Sequence, residues 1–224
     1  MRSLLSAAAL LTLLGAAPAH ASALFASSPS VTNILTINGI DFGTNQSEFN
    51  AGTHNQGWWS ATLANFTDND NYFVGTLGAD NLNNFFTFDL SGFAGGATSA
   101  TLTIITASTS TSGLPVVYTL WDVSTDAATL NANAGVSAAI FADLGSGVKY
   151  ASIGVPPYDS PMVITLNAAA LAGINAAAGG FFSIGETLQP DPVPEPGTLA
   201  LAGLALIGLA AKIRRTRSKA ISRL

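Results

Sequence analysis

Two apolar runs without a charged residue bracket this chain: Leu4 to Ala17 and Thr198 to Ala211, fourteen residues each. Neither run has a polar face to turn toward water, so neither suits the surface of a soluble domain. Whatever folds as a globule is therefore confined to the stretch between them. Charge is sorted along the chain as sharply as hydropathy. Six of the eight Lys and Arg residues fall in the last thirteen positions, and Lys149 is the only base between Ser22 and Asp191. That stretch holds twelve acids, for a formal charge of −11. A body this acidic excludes nucleic acid as a partner, because binding there needs Lys and Arg to neutralise phosphates.

Residues 1–21 read as a secretory leader. Arg2 supplies the positive start, Pro18 ends the apolar run, and Ala19-His20-Ala21 fits the small-x-small cleavage pattern. Cleavage after Ala21 leaves Ser22 as the first mature residue and makes the Sec machinery and signal peptidase partners of the chain. At the other end, residues 191–197 form a linker containing Val193-Pro194-Glu195-Pro196-Gly197, whose two prolines bar a helix. Residues 198–213 read as a transmembrane helix, stopped by Lys212, Arg214, Arg215 and Arg217, with 214–224 as a basic cytoplasmic tail. Gly197 to Ala211 spans roughly 22 Å as helix at about 1.5 Å per residue. That is short for a hydrocarbon core of about 30 Å, and Ile213 with the snorkelling stems of Lys212 and Arg214 extends it. The basic tail is expected inside and the acidic body outside. The expected route is a single-pass intermediate in the inner membrane, N-out and C-in, followed by the cell surface or the medium.

The succession Pro194-Glu195-Pro196, apolar helix, Arg-rich end resembles the PEP-CTERM sorting signal of exported Gram-negative proteins, over roughly Val193 to Arg217. The resemblance implies an exosortase, a membrane cysteine protease related to transpeptidases, as partner. It implies recognition of Pro194, Glu195 and Pro196 and removal of the helix and tail. It also implies a setting of exopolysaccharide and biofilm.

Between the ends, residues 22–190 alternate polar and apolar with the period of two that marks strands. Clear strands are expected at Phe85–Leu90, Thr101–Ile104, Val116–Val123, Val163–Leu166 and Phe181–Ile184, and weaker ones at Val31–Ile37, Ile40–Phe42, Trp58–Leu63, Tyr72–Val74 and Lys149–Ile153. One helix is expected over Ala168–Ala178, capped by Asn167 and ended by Gly179-Gly180. A shorter turn is expected over Asp126–Leu130, capped by Ser124 or Thr125. Many short strands with turn residues between them predict an all-β domain, a jelly-roll-like β-sandwich with one or two short helices. The runs Asn71–Gly75, Asn84–Leu90, Thr98–Leu102, Tyr118–Thr125 and Leu166–Leu171 resemble a domain common among exported proteins with this tail, similar to carbohydrate-binding-module sandwiches.

Catalytic chemistry is thinly supplied. There is no cysteine, and His54, the only histidine of the body, reads as a surface-loop residue without a Gly-x-Ser-x-Gly elbow. No enzyme is expected; a secreted hydrolase would need two carboxylates in one cleft. No cofactor is expected beyond one candidate, a structural calcium on Asp68 and Asp70 of Asp68-Asn69-Asp70-Asn71, a run that reads first as an Asx-rich loop before the Tyr72 strand. Trp58 and Trp59, if on a strand, point to opposite faces, so one of them is a candidate platform for a sugar ring, with Tyr72 in support. The function expected is a non-enzymatic surface or matrix protein associated with exopolysaccharide. The alternative is a structural or adhesive protein acting through protein contacts.

Overall fold

The computed structural model describes residues 24–26, 32–46, 49, 54–65, 71–105, 108–110, 116–132, 134–155 and 161–190. The chain divides into two units, Met1–Asp191 and Pro192–Leu224, and all of the described residues lie in the first. Its elements in chain order begin with the strands β1 (Leu24–Ala26), β2 (Ile34–Ile37), β3 (Ile40–Gly43), β4 (Gln56–Ser60), β5 (Phe73–Leu77), β6 (Asp80–Asp89), β7 (Ala100–Ile104), β8 (Ser108–Ser110) and β9 (Val116–Asp122). They continue with α1 (Ala127–Asn131), α2 (Ala138–Asp143), β10 (Lys149–Gly154), β11 (Met162–Thr165), α3 (Ala168–Ala176) and β12 (Phe181–Pro190). The all-β expectation holds. Each strand expected from alternation has a counterpart, although several boundaries move, and α3 follows Asn167, whose side-chain oxygen accepts from the Ala170 amide at 3.1 Å.

Two antiparallel sheets face each other. In the larger, β10, β9, β12, β6, β5, β1 and β8 lie side by side, and β4 also pairs with β6. The smaller runs β11, β7, β2, β3. Alternate residues of both sheets meet in the main core, with Leu35, Ile37, Leu102, Ile104 and Ile164 from the small sheet against Phe86, Phe88, Tyr118, Leu120 and Ile184 from the large one. This is the one-face-in pattern of a sandwich. The tight β2–β3 hairpin turns on Asn38-Gly39, both at positive φ, which the Asn-Gly pair tolerates at little cost. The Asn38 carboxamide oxygen then accepts from the amides of Thr98 (3.0 Å) and Ser99 (3.1 Å), tying the hairpin to the loop before β7.

The large sheet departs from a plain sandwich because its centre is covered on both sides. Every residue of β6 from Leu82 to Phe88 is buried. Phe86 and Phe88 enter the main core. Phe85 points the other way, into a second cluster with Trp59, Leu130 and Leu144, to which Val123 and Ile140 add. The segment holding α1 and α2 makes this lid. Ser124 and Thr125, expected to cap α1, instead bind Asp143 at the far end of α2: their amides and hydroxyls donate to its carboxylate at 2.6–3.3 Å. Asp126 is the actual cap, accepting from the Thr129 amide at 2.8 Å. The lid can lie this close only because β12 carries glycine at 185. A Cβ there would sit 2.6 Å from the Leu144 carbonyl oxygen.

Candidate functional site

The residues expected to present a sugar platform do not do so. Trp58 and Trp59 are indeed on a strand and on opposite faces, yet both are packed, with 8% and 4% of their surface exposed. Trp58 meets Phe73 edge to face at 6.3 Å. Trp59 lies under the α1–α2 lid, where its indole N–H donates to the Leu130 carbonyl at 3.1 Å. Tyr72 is fully buried, edge-on to Phe86 at 4.9 Å, and its hydroxyl donates to the Ile105 carbonyl at 2.8 Å. None of the three rings offers a face to a ligand, because the face that alternation left for water is covered by the lid or by a neighbouring strand. His54 is also buried rather than on a surface loop. It precedes β4 by two residues, and the first residue of that strand, Gln56, belongs to a buried network in which the Asn33 side-chain nitrogen and the Thr44 hydroxyl both donate to its side-chain oxygen at 2.9 and 3.0 Å.

Asp68 and Asp70 lie outside the described residues, as do Ala19, Ala21, Ser22, Pro194, Glu195, Pro196, Lys212, Arg214, Arg215, Arg217 and the expected membrane helix. Among the described residues no group of three His, Cys, Asp or Glu could hold a metal, and no helix is long and apolar enough to cross a membrane.

What the fold does assemble was not legible beforehand. Glu186 of β12 pairs with Asn84 of β6 on one side and Leu120 of β9 on the other, and its side chain is fully buried. Its Oε2 accepts from the Asn84 amide, the Tyr118 hydroxyl also bonds to it, and its Oε1 is buried without a hydrogen-bond partner. Desolvation raises its pKa well above the ordinary carboxyl range, and the Tyr118 hydrogen bond offsets only part of that. Burial, reinforced by the nearby Glu186 carboxyl, likewise pushes the hydroxyls of Tyr72 and Tyr118 upward. The result is a carboxylic acid that resists ionisation inside the sandwich.

Glu186 also marks a fork. Leu82 pairs with Ser60 of β4 and Gly75 of β5, and Asn84 pairs with Trp58 of β4 and Glu186 of β12. A strand has two edges, so β4 occupies one while β12 and β5 share the other, β12 beside Asn84–Asp89 and β5 beside Asp80–Leu82. Beyond Glu186, β12 continues to Pro190 paired only with β9. Gly75, at φ 106°, is the residue at which β5 meets this junction. Between the diverging strands opens a groove of about 350 Å³. Its walls carry Thr76, Asn81, Asn83, Thr187 and Gln189, with Phe141 of the lid at one side, and among the described residues no charged one lines it. The groove is braced from behind: Asn83 donates to the Phe141 carbonyl at 2.9 Å, and the Trp121 indole donates to the Thr187 hydroxyl at 2.9 Å.

No curated protein and no solved structure matches the chain. Residues 192–215 do match the PEP-CTERM protein-sorting motif, which places a sorting signal after the sandwich and makes an exosortase the processing partner. The chain thus carries the mark of an exosortase-sorted exported surface protein, held at a membrane before processing.

Proposed function

We propose that this chain is a non-enzymatic surface or matrix protein that associates with exopolysaccharide after export. The sorting motif at residues 192–215 is the observation that carries the reading. The body supports it in composition. Charged residues make up 9% of the chain, against about 25% in typical soluble proteins. Asn, Ser and Thr, the groups that hydrogen-bond to sugar hydroxyls, supply its polarity instead.

Two outcomes test this. Replacing Pro194, Glu195 and Pro196 together by Ala leaves an unprocessed, membrane-held form, seen as a larger band in the membrane fraction; identical processing of the variant removes the sorting part. Protein from cells that make exopolysaccharide stays with the polymer through washing and is shed to the medium by cells that lack it. Equal retention in both strains favours protein-mediated adhesion and ends the polysaccharide reading.

A further inference from the structure

We propose that the fork between β5 and β12 binds a neutral glycan, a site that rests on the exopolysaccharide reading and narrows it to one class of sugar. The groove volume of about 350 Å³ lies at the small end of ligand sites and suits a short stretch of polymer. Its chemistry is amide and hydroxyl. Asn81 and Gln189 are exposed amides on the β6 and β12 walls, the Thr76 hydroxyl of β5 donates to the Asn81 side-chain oxygen at 3.0 Å and so holds that amide at the opening, and Asn83 and Thr187 form the floor. Amides and hydroxyls both donate and accept, which is what a ring of sugar hydroxyls needs. The backbone contributes as well, since beyond Glu186 no described strand pairs with the edge of β12 turned away from β9, which leaves the N–H and C=O of alternate residues there without a ladder.

Charge decides which sugar. Uronates and sulfated sugars call for a cation, and none lines the groove among the described residues. Lys149, the only base of the body, sits on β10 with its ammonium 5.5 Å from the centre of the Trp121 ring, and strands β9 and β12 stand between it and the opening. The surrounding formal charge of −11 repels acidic polymers further. A peptide strand is the poorer fit to the same opening, because the open edge of β12 ends after four residues at Pro190, which has no N–H to give.

The test uses the exported protein recovered from its producing cells. Their exopolysaccharide is split by anion exchange into neutral and acidic fractions, shortened to oligosaccharides and titrated by calorimetry. Binding is expected with the neutral fraction alone, with amide NMR shifts centred on Thr76, Asn81 and Thr187. In the Asn81→Ala/Gln189→Ala double variant affinity falls at least tenfold while the thermal midpoint holds, and Thr165→Ala, exposed on the small sheet, binds as wild type. Neutral oligosaccharide that binds the double variant unchanged, or shifts amides elsewhere, overturns the groove and leaves the exopolysaccharide reading standing. Preference for the acidic fraction, or displacement of the sugar shifts by an unstructured Gly-Ser peptide of higher affinity, also overturns the groove. No binding of either fraction by the wild type removes both.

Discussion

Glu186→Gln abolishes the loss of stability that the wild-type protein shows as pH rises. The unfolded chain releases the Glu186 proton near the ordinary carboxyl value of 4.5, while burial makes the folded protein hold it to a much higher pH. Between those two values the unfolded state binds fewer protons than the folded one. Stability is therefore fully present below the unfolded pKa and declines with rising pH, by about 1.4 kcal/mol for each unit. In a protein of this size that is roughly 3–6 °C of thermal midpoint per pH unit. Asp143 works in the opposite direction. Partial burial pushes its carboxyl up, but hydrogen bonds from Thr125 and Ser124 outweigh that and hold it below the usual range, so its contribution is lost on acidification. The wild type should thus be most stable in mild acid. The glutamine amide has the volume of the carboxylic acid and keeps a donor and an acceptor for Asn84 and Tyr118, but it does not ionise. Thermal unfolding of both proteins from pH 4 to 8 checks this: nearly equal midpoints at pH 4 and a widening gap in favour of Glu186→Gln above pH 5. Parallel profiles would mean that Glu186 ionises freely in the fold.

Trp59→Ala is expected to cost about 3–5 kcal/mol, the usual penalty for emptying an aromatic site in a core. It removes the ring packed among Phe85, Leu130 and Leu144 and leaves the buried Leu130 carbonyl without its indole donor. The lid should fail before the sandwich, since α1 and α2 together hold only eleven residues and depend on this cluster for burial. Hydrogen exchange should accelerate first across residues 124–147, with β2, β7 and β11 still protected. Trp59→Phe keeps most of the packing, loses the hydrogen bond and should cost about 1–2 kcal/mol. An unchanged unfolding midpoint in Trp59→Ala, together with lost retention on polysaccharide, would restore the exposed-platform role that burial now denies this ring.

Both residues sit where linear pattern and packing part ways. Trp59 alternates with Trp58 as a half-buried strand requires, and alternation alone leaves one ring for water. The lid reverses that, and its pieces leave little trace in the sequence: α2 is six residues long, and its cap, Ser137, accepting from the Ile140 amide at 3.2 Å, is one serine among many. Ser124 and Thr125 have hydroxyls that suit a cap, but their amides and hydroxyls donate to the carboxylate of Asp143, eighteen residues on from Thr125, and Asp126 takes the cap. The strands at Leu24–Ala26 and Ser108–Ser110 are three residues each, too few to carry an alternation signal, and they exist by pairing with each other and, through β1, with β5.

The linear order of residues was enough for whatever depends on local period or contiguous motif. It placed the central strands, the Asn167-capped helix and the all-β class, and it located the sorting motif at residues 192–215. Only the tertiary structure decided the state of Glu186, the burial of Trp58, Trp59 and Tyr72, and the groove between β5 and β12. Each of these depends on which strand lies beside which, and on what covers the second face of β6. A period of two says that a side chain leaves the sheet on one side; it carries no information about what waits there.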